Sequence, residues 1–283
     1  MSAQYTKKER VILGVMLLLV LAVLLFVNFF PKYKELFDEG TAELIDLAVS
    51  RLLSGGIFLC LLLFLGTPVL SFRRIPGGKA LLITLPAWAI AVNNFPILGL
   101  LTGSVRVTES AEKGLLLAAA CIGIGLFEEL AFRGVVFPAL LSRILKRLRT
   151  DETTEKKLPA ETLAVFLSIV LTSAAFGLVH LLNLLSGGSP LGVLTQIGYS
   201  FLIGGMCAIV LLKTRCVWLP VLIHALYDFG GLMFQYLCEG KLWDTPTVIL
   251  TVAVSLLVAA FYLLLLFTVK KEDVESFLSK NSN

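Results

Sequence analysis

The sequence predicts an all-α protein, a polytopic transmembrane helix bundle of about eight spans. Of the 283 residues, 57% are hydrophobic and only 16% are charged, whereas a soluble domain usually carries about 25% charged residues. Several uncharged apolar runs reach about 18 residues, the length that crosses a bilayer as a helix. These runs do not show the alternation of membrane-barrel strands. The composition therefore excludes a soluble enzyme.

Eight apolar segments are predicted to span the membrane. They are residues 11–30, 52–72, 80–102, 114–141, 162–182, 193–212, 217–237 and 245–269. The first is longer than the apolar part of a signal peptide, which has about 7–15 residues, and no A-x-A cleavage site follows it. It is interpreted as a retained span. Arg51 marks the start of the second span, and Pro86 and Pro96 fall within the third.

The basic residues orient these spans. With the N-terminus in the cytoplasm, most of the 24 Lys and Arg residues fall in cytoplasmic segments, as the positive-inside rule expects. An even number of spans keeps the C-terminal lysines there as well. The sequence thus predicts an integral protein of a prokaryotic plasma membrane with both termini cytoplasmic. The net charge of +4 is explained by these loops, so the expected partner is the lipid bilayer and no nucleic acid.

Three charged residues interrupt the fourth span in the sequence E-E-L-A-F-R: Glu128, Glu129 and Arg133. A charge at the bilayer centre costs about 2.5–3.5 kcal/mol on insertion scales, so these side chains cannot face lipid. At about 100° per residue, Glu129 and Arg133 lie within about 40° of each other on a helix. They are predicted to form an i, i+4 ion pair. Glu128 lies about 140° from Arg133 and is left for chemistry.

Two further spans supply ionisable groups. The only histidines of the chain, His180 and His224, lie in the fifth and seventh spans, and Asp228 follows His224 on the same helix face. A carboxylate and an imidazole can hold and deprotonate a water, and polar groups beside them can stabilise an oxyanion. The three spans are therefore predicted to surround one polar pocket, although simple counting places His180 near the outer end of its span.

Metal binding is the alternative use of the same side chains. Glu128, His180, His224 and Asp228 are ligand types that Zn²⁺ accepts, but the H-E-x-x-H spacing is absent. The five cysteines show no C-x-x-C spacing, so no thiolate metal site is predicted. The expectation is either no cofactor or a divalent metal such as zinc.

Three short motifs together resemble those of the CPBP intramembrane proteases, a family of CAAX proteases and bacteriocin-processing enzymes that is also called the Abi family. E-E-L-A-F-R is similar to the family motif E-E-x-x-x-R, F-G-L-V-H at 176–180 to F-x-x-x-H, and H-A-L-Y-D at 224–228 to H-x-x-x-N/D. The resemblance covers about residues 114–232. Each motif alone is weak evidence, but their order on separate predicted helices is specific.

The resemblance implies roles for the matching residues. Glu128 would activate water with the help of His180, and His224 with Asp228 would stabilise the oxyanion. The prototype members have Asn where this chain has Asp228. An ionised Asp cannot donate a hydrogen bond. Asp228 is therefore expected either to be protonated in its apolar site, to orient His224 or to bind a metal, and orientation of His224 is the preferred interpretation.

Four other residues are predicted to support the site. The resemblance implies supporting roles for Glu129 and Arg133, and it implies that Phe176 packs beside the site. Asn183 lies three residues after His180 and is expected to hydrogen-bond at the rim.

The motifs divide the chain into three parts. Residues 1–113 hold spans one to three, 114–237 form the CPBP-like catalytic core, and 238–283 hold span eight and a cytoplasmic tail. The expected function is hydrolysis of a peptide bond in a membrane-associated protein or peptide, which could be lipidated. Two alternatives use the same polar core: a proton-coupled transporter, in which intramembrane Glu and His form relays, and a non-catalytic immunity or scaffold protein.

Overall fold

The computed structural model describes residues 36–70, 77–150, 159–185, 187–241 and 245–279, together with a few positions between 11 and 22. Most of the predicted first span, 11–30, and the loop at 151–158 lie outside the described residues. So do Arg73 and Arg74, which were expected to follow the second span.

The described chain is almost entirely helical. Its elements are α1 (Glu39–Phe64), α2 (Gly77–Asn93), α3 (Ile97–Thr102), β1 (Val105–Val107), α4 (Ala111–Glu129), α5 (Phe137–Thr150), α6 (Ala160–Val179), α7 (Pro190–Thr214), α8 (Trp218–Leu237), β2 (Cys238–Gly240), α9 (Thr245–Leu266) and α10 (Lys271–Leu278). A π-helical segment, Leu130–Val136, joins α4 to α5, and a 3₁₀ turn, His180–Leu184, follows α6.

The prediction of an all-α polytopic bundle is confirmed. Five stretches of the described chain have the length and apolar composition of a membrane span: Glu39–Phe64, Ala111–Thr150, Ala160–Leu184, Pro190–Thr214 and Thr245–Leu266. α2 is apolar but shorter. α8 carries His224 and Asp228 and is not among the five. The number of eight spans stays a prediction.

The predicted boundary of the second span at Arg51 is wrong. α1 begins at Glu39, far upstream of the predicted start at residue 52, because Asp38 caps it: the backbone N–H of Thr41 donates to Asp38 Oδ1 over 3.0 Å. Such an N-cap satisfies a backbone donor that the first helical turn leaves free. The acidic residues from Asp38 to Asp46 therefore lie at the cap and in the first turns of α1. Arg51 lies in the middle of this helix.

The third predicted span is broken at its second proline. Pro86 is accommodated inside α2, whereas Pro96 precedes α3, which ends at Gly103 in the left-handed conformation (φ 75°). β1 follows and pairs antiparallel with β2, with Val105 opposite Gly240. This two-stranded ribbon lies at one end of the bundle, beside the ends of α3 and α8.

α4 packs between α1 and α8, and glycines make both approaches close. A Cβ atom at Gly123 would lie 3.0 Å from the Leu52 backbone nitrogen on α1. A Cβ atom at Gly125 would lie 2.6 Å from the Val221 carbonyl oxygen on α8. Small residues allow such backbone contact between membrane helices. The close approach brings the end of α4, where Glu128 and Glu129 lie, against the His224 turn of α8.

The opposite end of the bundle is held by ion pairs that involve α10. Five residues form this group, here called the basic-end cluster: Arg149, Glu161, Lys213, Asp273 and Glu275. Arg149 Nη2 lies 2.7 Å from Glu161 and 2.9 Å from Glu275, and Lys213 Nζ lies 2.9 Å from Asp273. α10 also buries Val274 and Phe277, and Phe277 packs against Phe137 of α5. A short amphipathic helix thereby closes this end.

Candidate active site

The E-E-L-A-F-R motif lies where α4 changes into the π-helical segment. α4 ends at Glu129, and Leu130–Val136 is π-helical. π-helical turns inside α-helices occur frequently at functional sites. This turn departs from the regular helix on which the sequence prediction was based.

The predicted ion pair between Glu129 and Arg133 is confirmed. Arg133 Nη1 lies 3.1 Å from Glu129 Oε1, and both side chains are buried. The Arg133 guanidinium carbon also lies 4.5 Å from the centroid of the Phe176 ring, in the arrangement of a cation–π contact. Glu129 and Arg133 are thus held by each other and by the ring that the sequence placed beside the site.

Glu129 also holds His224. Its Oε1 atom lies 2.7 Å from Nδ1 of His224. Because the carboxylate paired with Arg133 can only accept hydrogen bonds, Nδ1 carries a proton and donates it. The bond fixes the ring orientation and leaves Nε2 to face the rest of the site. Asp228 was expected to orient His224, but its contact with the ring is 3.5 Å long, and the shorter contact of 2.7 Å comes from Glu129.

The other two carboxylates face Nε2 of His224. Glu128 Oε2 lies 3.7 Å and Asp228 Oδ2 lies 3.5 Å from this nitrogen. These side chains are 13% and 20% exposed, whereas the Glu129 side chain is fully buried. As predicted, Glu129 is the buried glutamate of the ion pair and Glu128 is the accessible one.

Phe176 connects His180 to this group. Its ring packs edge-to-face on both imidazoles, with centroid distances of 5.5 Å to His180 and 5.8 Å to His224. His180 is close enough to Glu128 and His224 for electrostatic interaction. It lies at the end of α6, where counting placed it, and the end of that helix itself borders the site. The three motifs of the sequence thus converge.

Asn183 does not join these residues. Its Nδ2 atom donates to Oε1 of Gln196 over 2.8 Å, in an exposed position. The bond ties the turn after His180 to α7. The expected hydrogen bond at the rim of the site is therefore replaced by a contact between helices.

Arg51 is the residue near the site that the sequence analysis missed. Its guanidinium carbon lies 5.2 Å from the centroid of the Phe127 ring, and Phe127 directly precedes Glu128. The guanidinium interacts electrostatically with Asp228 and His180. The available signal was a charged residue within the apolar stretch 47–65, which the prediction treated as a span boundary.

A bound divalent metal stays a prediction. Glu128 and Asp228 flank one nitrogen of His224, and the other nitrogen is occupied by Glu129. Within the described ranges, no three His, Cys, Asp or Glu side chains converge as ligands on one point. A catalytic zinc site needs three protein ligands about 2.0–2.2 Å from the ion.

Comparison with known proteins extends this picture. Residues 110–230 match the sequence model of the family described as "Type II CAAX prenyl endopeptidase Rce1-like". The match confirms the resemblance to the CPBP proteases, and it contains all three motifs. No curated protein and no solved structure matches the chain.

Proposed function

We propose, from the premise that residues 110–230 form the CAAX-protease-like part of the chain, that this protein is an intramembrane endopeptidase. It hydrolyses a peptide bond of a membrane-associated protein or peptide with a water activated by Glu128. The observation that carries the proposal is that α4, α8 and the turn after α6 bring Glu128, His180, His224 and Asp228 together around Phe176.

Glu128 is the general base. Its neighbour Glu129 is fully buried and engaged by both Arg133 and His224, so it cannot reach a substrate. Glu128 is partly accessible and has no arginine within ion-pair distance among the described residues. A water held between Glu128 and His180 can lose its proton to the carboxylate as its oxygen attacks the carbonyl carbon.

His224 stabilises the oxyanion. Glu129 occupies Nδ1, so a hydrogen bond to an oxyanion must come from Nε2, and both nitrogens donate only in the imidazolium form. Three carboxylates and one guanidinium surround the ring, and a positive imidazolium reduces this excess of negative charge. Donors held in advance around a developing oxyanion can contribute about 2.7–4 kcal/mol each to catalysis.

The reaction needs only these groups. Attack forms the C–O bond while the carbonyl electron pair moves to oxygen, giving the oxyanion beside His224. Its collapse breaks the C–N bond, and Glu128 returns the proton to the leaving nitrogen. The products are a carboxylic acid and an amine.

The same charges orient the protein in the membrane. Many Lys and Arg residues lie on α5, at the end of α7 and at the start of α10: Arg143, Lys146, Arg147, Arg149, Lys213, Arg215, Lys270 and Lys271. The positive-inside rule assigns them to the cytoplasm. We infer that this end of the bundle, and the C-terminal helix α10 with it, lies on the cytoplasmic side. Labelling of a single cysteine introduced at the exposed Lys270 position, in intact and in opened cells, would test this orientation.

The first experiment compares three variants of the full chain in its native membrane. Mass spectrometry of new protein termini is recorded for wild type, Glu128→Gln, His180→Ala and the control Glu275→Gln, which makes the same chemical change at an exposed position. We expect a set of termini that both site variants lose and the control keeps. Equal termini in all four membranes would refute the proposal, provided that gel filtration in detergent shows the variants folded.

A further inference from the structure

A second arginine belongs to the site, and it comes from a helix outside the family match. Arg51 lies on α1, far before residue 110, yet its guanidinium carbon is 5.2 Å from the Phe127 ring centroid. Phe127 is the residue before the proposed base. α1 therefore contributes a cation to a site whose other members come from α4, α6 and α8.

The packing of α1 on α4 determines this position. A Cβ atom at Gly123 would lie 3.1 Å from Arg51 Cβ, and one at Gly55 would lie 2.9 Å from Leu126 Cγ. Helices that approach this closely leave little freedom to shift along each other. The first atoms of the Arg51 side chain are thus fixed against α4, and its guanidinium extends beside Phe127.

The charge of Arg51 lacks a close partner among the described residues. Arg133, the other arginine here, is 3.1 Å from Glu129, whereas none of the described carboxylates lies within 4.0 Å of Arg51. The Nε atom of Arg51 is buried and makes no hydrogen bond to the described chain. A charged residue in an apolar helix is costly, and a buried donor without a partner adds to that cost.

We propose that Arg51 binds a carboxylate of the substrate and thereby selects which peptides are cut. The guanidinium group has a planar set of donors that matches a carboxylate in two parallel hydrogen bonds. The proposal rests on the endopeptidase function above. An extended peptide advances about 3.3–3.6 Å per residue, so the bound carboxylate lies within a few residues of the scissile bond. It is either the free carboxyl terminus or an Asp or Glu side chain.

The competing role for Arg51 is internal. It interacts electrostatically with Asp228 and His180, and it could act only by balancing the charge of Asp228. That role would alter the chemical step equally for all substrates. Recognition of a substrate carboxylate would instead change KM, and only for substrates that carry the carboxylate.

A peptide library with a two-by-two design separates these roles. Randomised heptapeptides are made with either a C-terminal acid or a C-terminal amide, each with and without Asp and Glu. Purified full-length wild type, Arg51→Gln, Arg51→Lys and the control Arg143→Gln, which changes an exposed arginine, are given each library. Cleavage is measured by mass spectrometry, and KM and kcat are then determined on one cleaved peptide and its uncharged analogue.

We expect wild type to prefer one class of carboxylate-bearing peptides by about 10- to 100-fold, as charge-assisted hydrogen bonds of this kind predict. Arg51→Gln should lose that preference through KM, with kcat nearly unchanged, and Arg51→Lys should keep part of it. If wild type prefers the peptides with a C-terminal acid over the amides, the bound carboxylate is the free carboxyl terminus. If it prefers the peptides with Asp and Glu, the bound carboxylate is a side chain. An equal fall in kcat on acid and uncharged peptides would overturn the proposal.

A binding measurement tests carboxylate recognition by Arg51 separately from the proposed endopeptidase function. The Glu128→Gln variant, alone and combined with Arg51→Gln, is tested for binding of fluorescent heptapeptides with a C-terminal acid, with an acidic side chain, or with neither. Preferential binding that disappears with Arg51→Gln supports the recognition even without cleavage. Equal binding of all three peptides by both variants contradicts it, whatever the outcome for catalysis.

Discussion

Two charged clusters of similar composition lie in very different surroundings. The site on α4 and α8 contains Glu129 and Arg133, whose side chains are 0% and 3% exposed and 3.1 Å apart. The basic-end cluster contains Arg149 and Glu275, whose side chains are 29% and 47% exposed and 2.9 Å apart. The distances are almost equal, so the distance between charges does not show what a cluster does.

Exposure to solvent determines how much each ion pair contributes to stability. Exposed ion pairs contribute about 0.2–1 kcal/mol, because water and salt already stabilise the separated charges. Removing one member of a buried pair leaves an uncompensated charge and costs about 3–5 kcal/mol. The basic-end cluster can therefore serve to fasten α10, whereas Glu129 of the buried pair holds Nδ1 of His224, the ring that Glu128 faces from the other nitrogen.

The largest expected effect is at Arg133. Arg133→Met should destabilise the protein by about 3–5 kcal/mol, because Glu129 would lose its guanidinium partner and the three carboxylates of the site would face His224 alone. Arg149→Met, the matched change in the basic-end cluster, should cost about 1 kcal/mol or less. Thermal unfolding of both variants in detergent, followed by near-UV circular dichroism, measures the difference.

A double variant sharpens this result. Adding Glu129→Gln to Arg133→Met removes both buried charges and should recover much of the lost stability. If Arg133→Met and Arg149→Met were equally stable, the comparison between the clusters would fail, and burial would not decide the energy of these pairs.

A smaller effect is expected at Asp228. Asp228→Asn should keep activity within about tenfold of wild type, because an amide still meets Nε2 of His224 through its oxygen and can also donate to an oxyanion. The ring itself stays oriented by Glu129. Peptidase activity, measured on the same substrate with Glu128→Gln as the inactive reference, tests this expectation. A folded but inactive Asp228→Asn protein would show that the negative charge at 228 is required.

The sequence predicted the motif residues well because helix geometry is local. The pairing of Glu129 with Arg133 follows from their spacing of four residues, and the accessible position of Glu128 follows from the angle between neighbours. The order of the motifs on separate helices gave the resemblance to the CPBP proteases, and the family match over residues 110–230 confirms that resemblance. These inferences need only the regular rise and rotation of a helix.

Contacts between helices that are distant in sequence could not be predicted from the sequence. The bond between Glu129 and His224 depends on how closely α4 approaches α8 at Gly125, and no local pattern encodes that approach. Arg51 was placed at a boundary because a charge in an apolar run usually ends a span, whereas its helix starts at the cap of Asp38. Asn183 was predicted to lie at the site because it is close in sequence to His180, but its side chain donates a hydrogen bond to Gln196 on α7.

The smallest expected effect is at Asp273, in the basic-end cluster. Burial acts to raise the pKa of its carboxyl, but the Lys270 backbone N–H and the Lys213 ammonium outweigh burial and hold the pKa below its usual value. A depressed pKa contributes stability that is present above the unfolded pKa of about 3.9 and lost as pH falls through the folded value.

Asp273→Asn keeps an oxygen for the Lys270 N–H and loses only the charge that faces Lys213. The variant should be less stable than wild type by about 0.2–1 kcal/mol at pH 7. Thermal unfolding across pH should show this gap shrinking below about pH 4 and closing once pH falls through the lower pKa of folded Asp273, where the wild-type carboxyl becomes protonated. A gap that persisted at low pH would mean that the charge of Asp273 is not its cause. A gap at pH 7 as large as that of Arg133→Met would remove the distinction between the two regions.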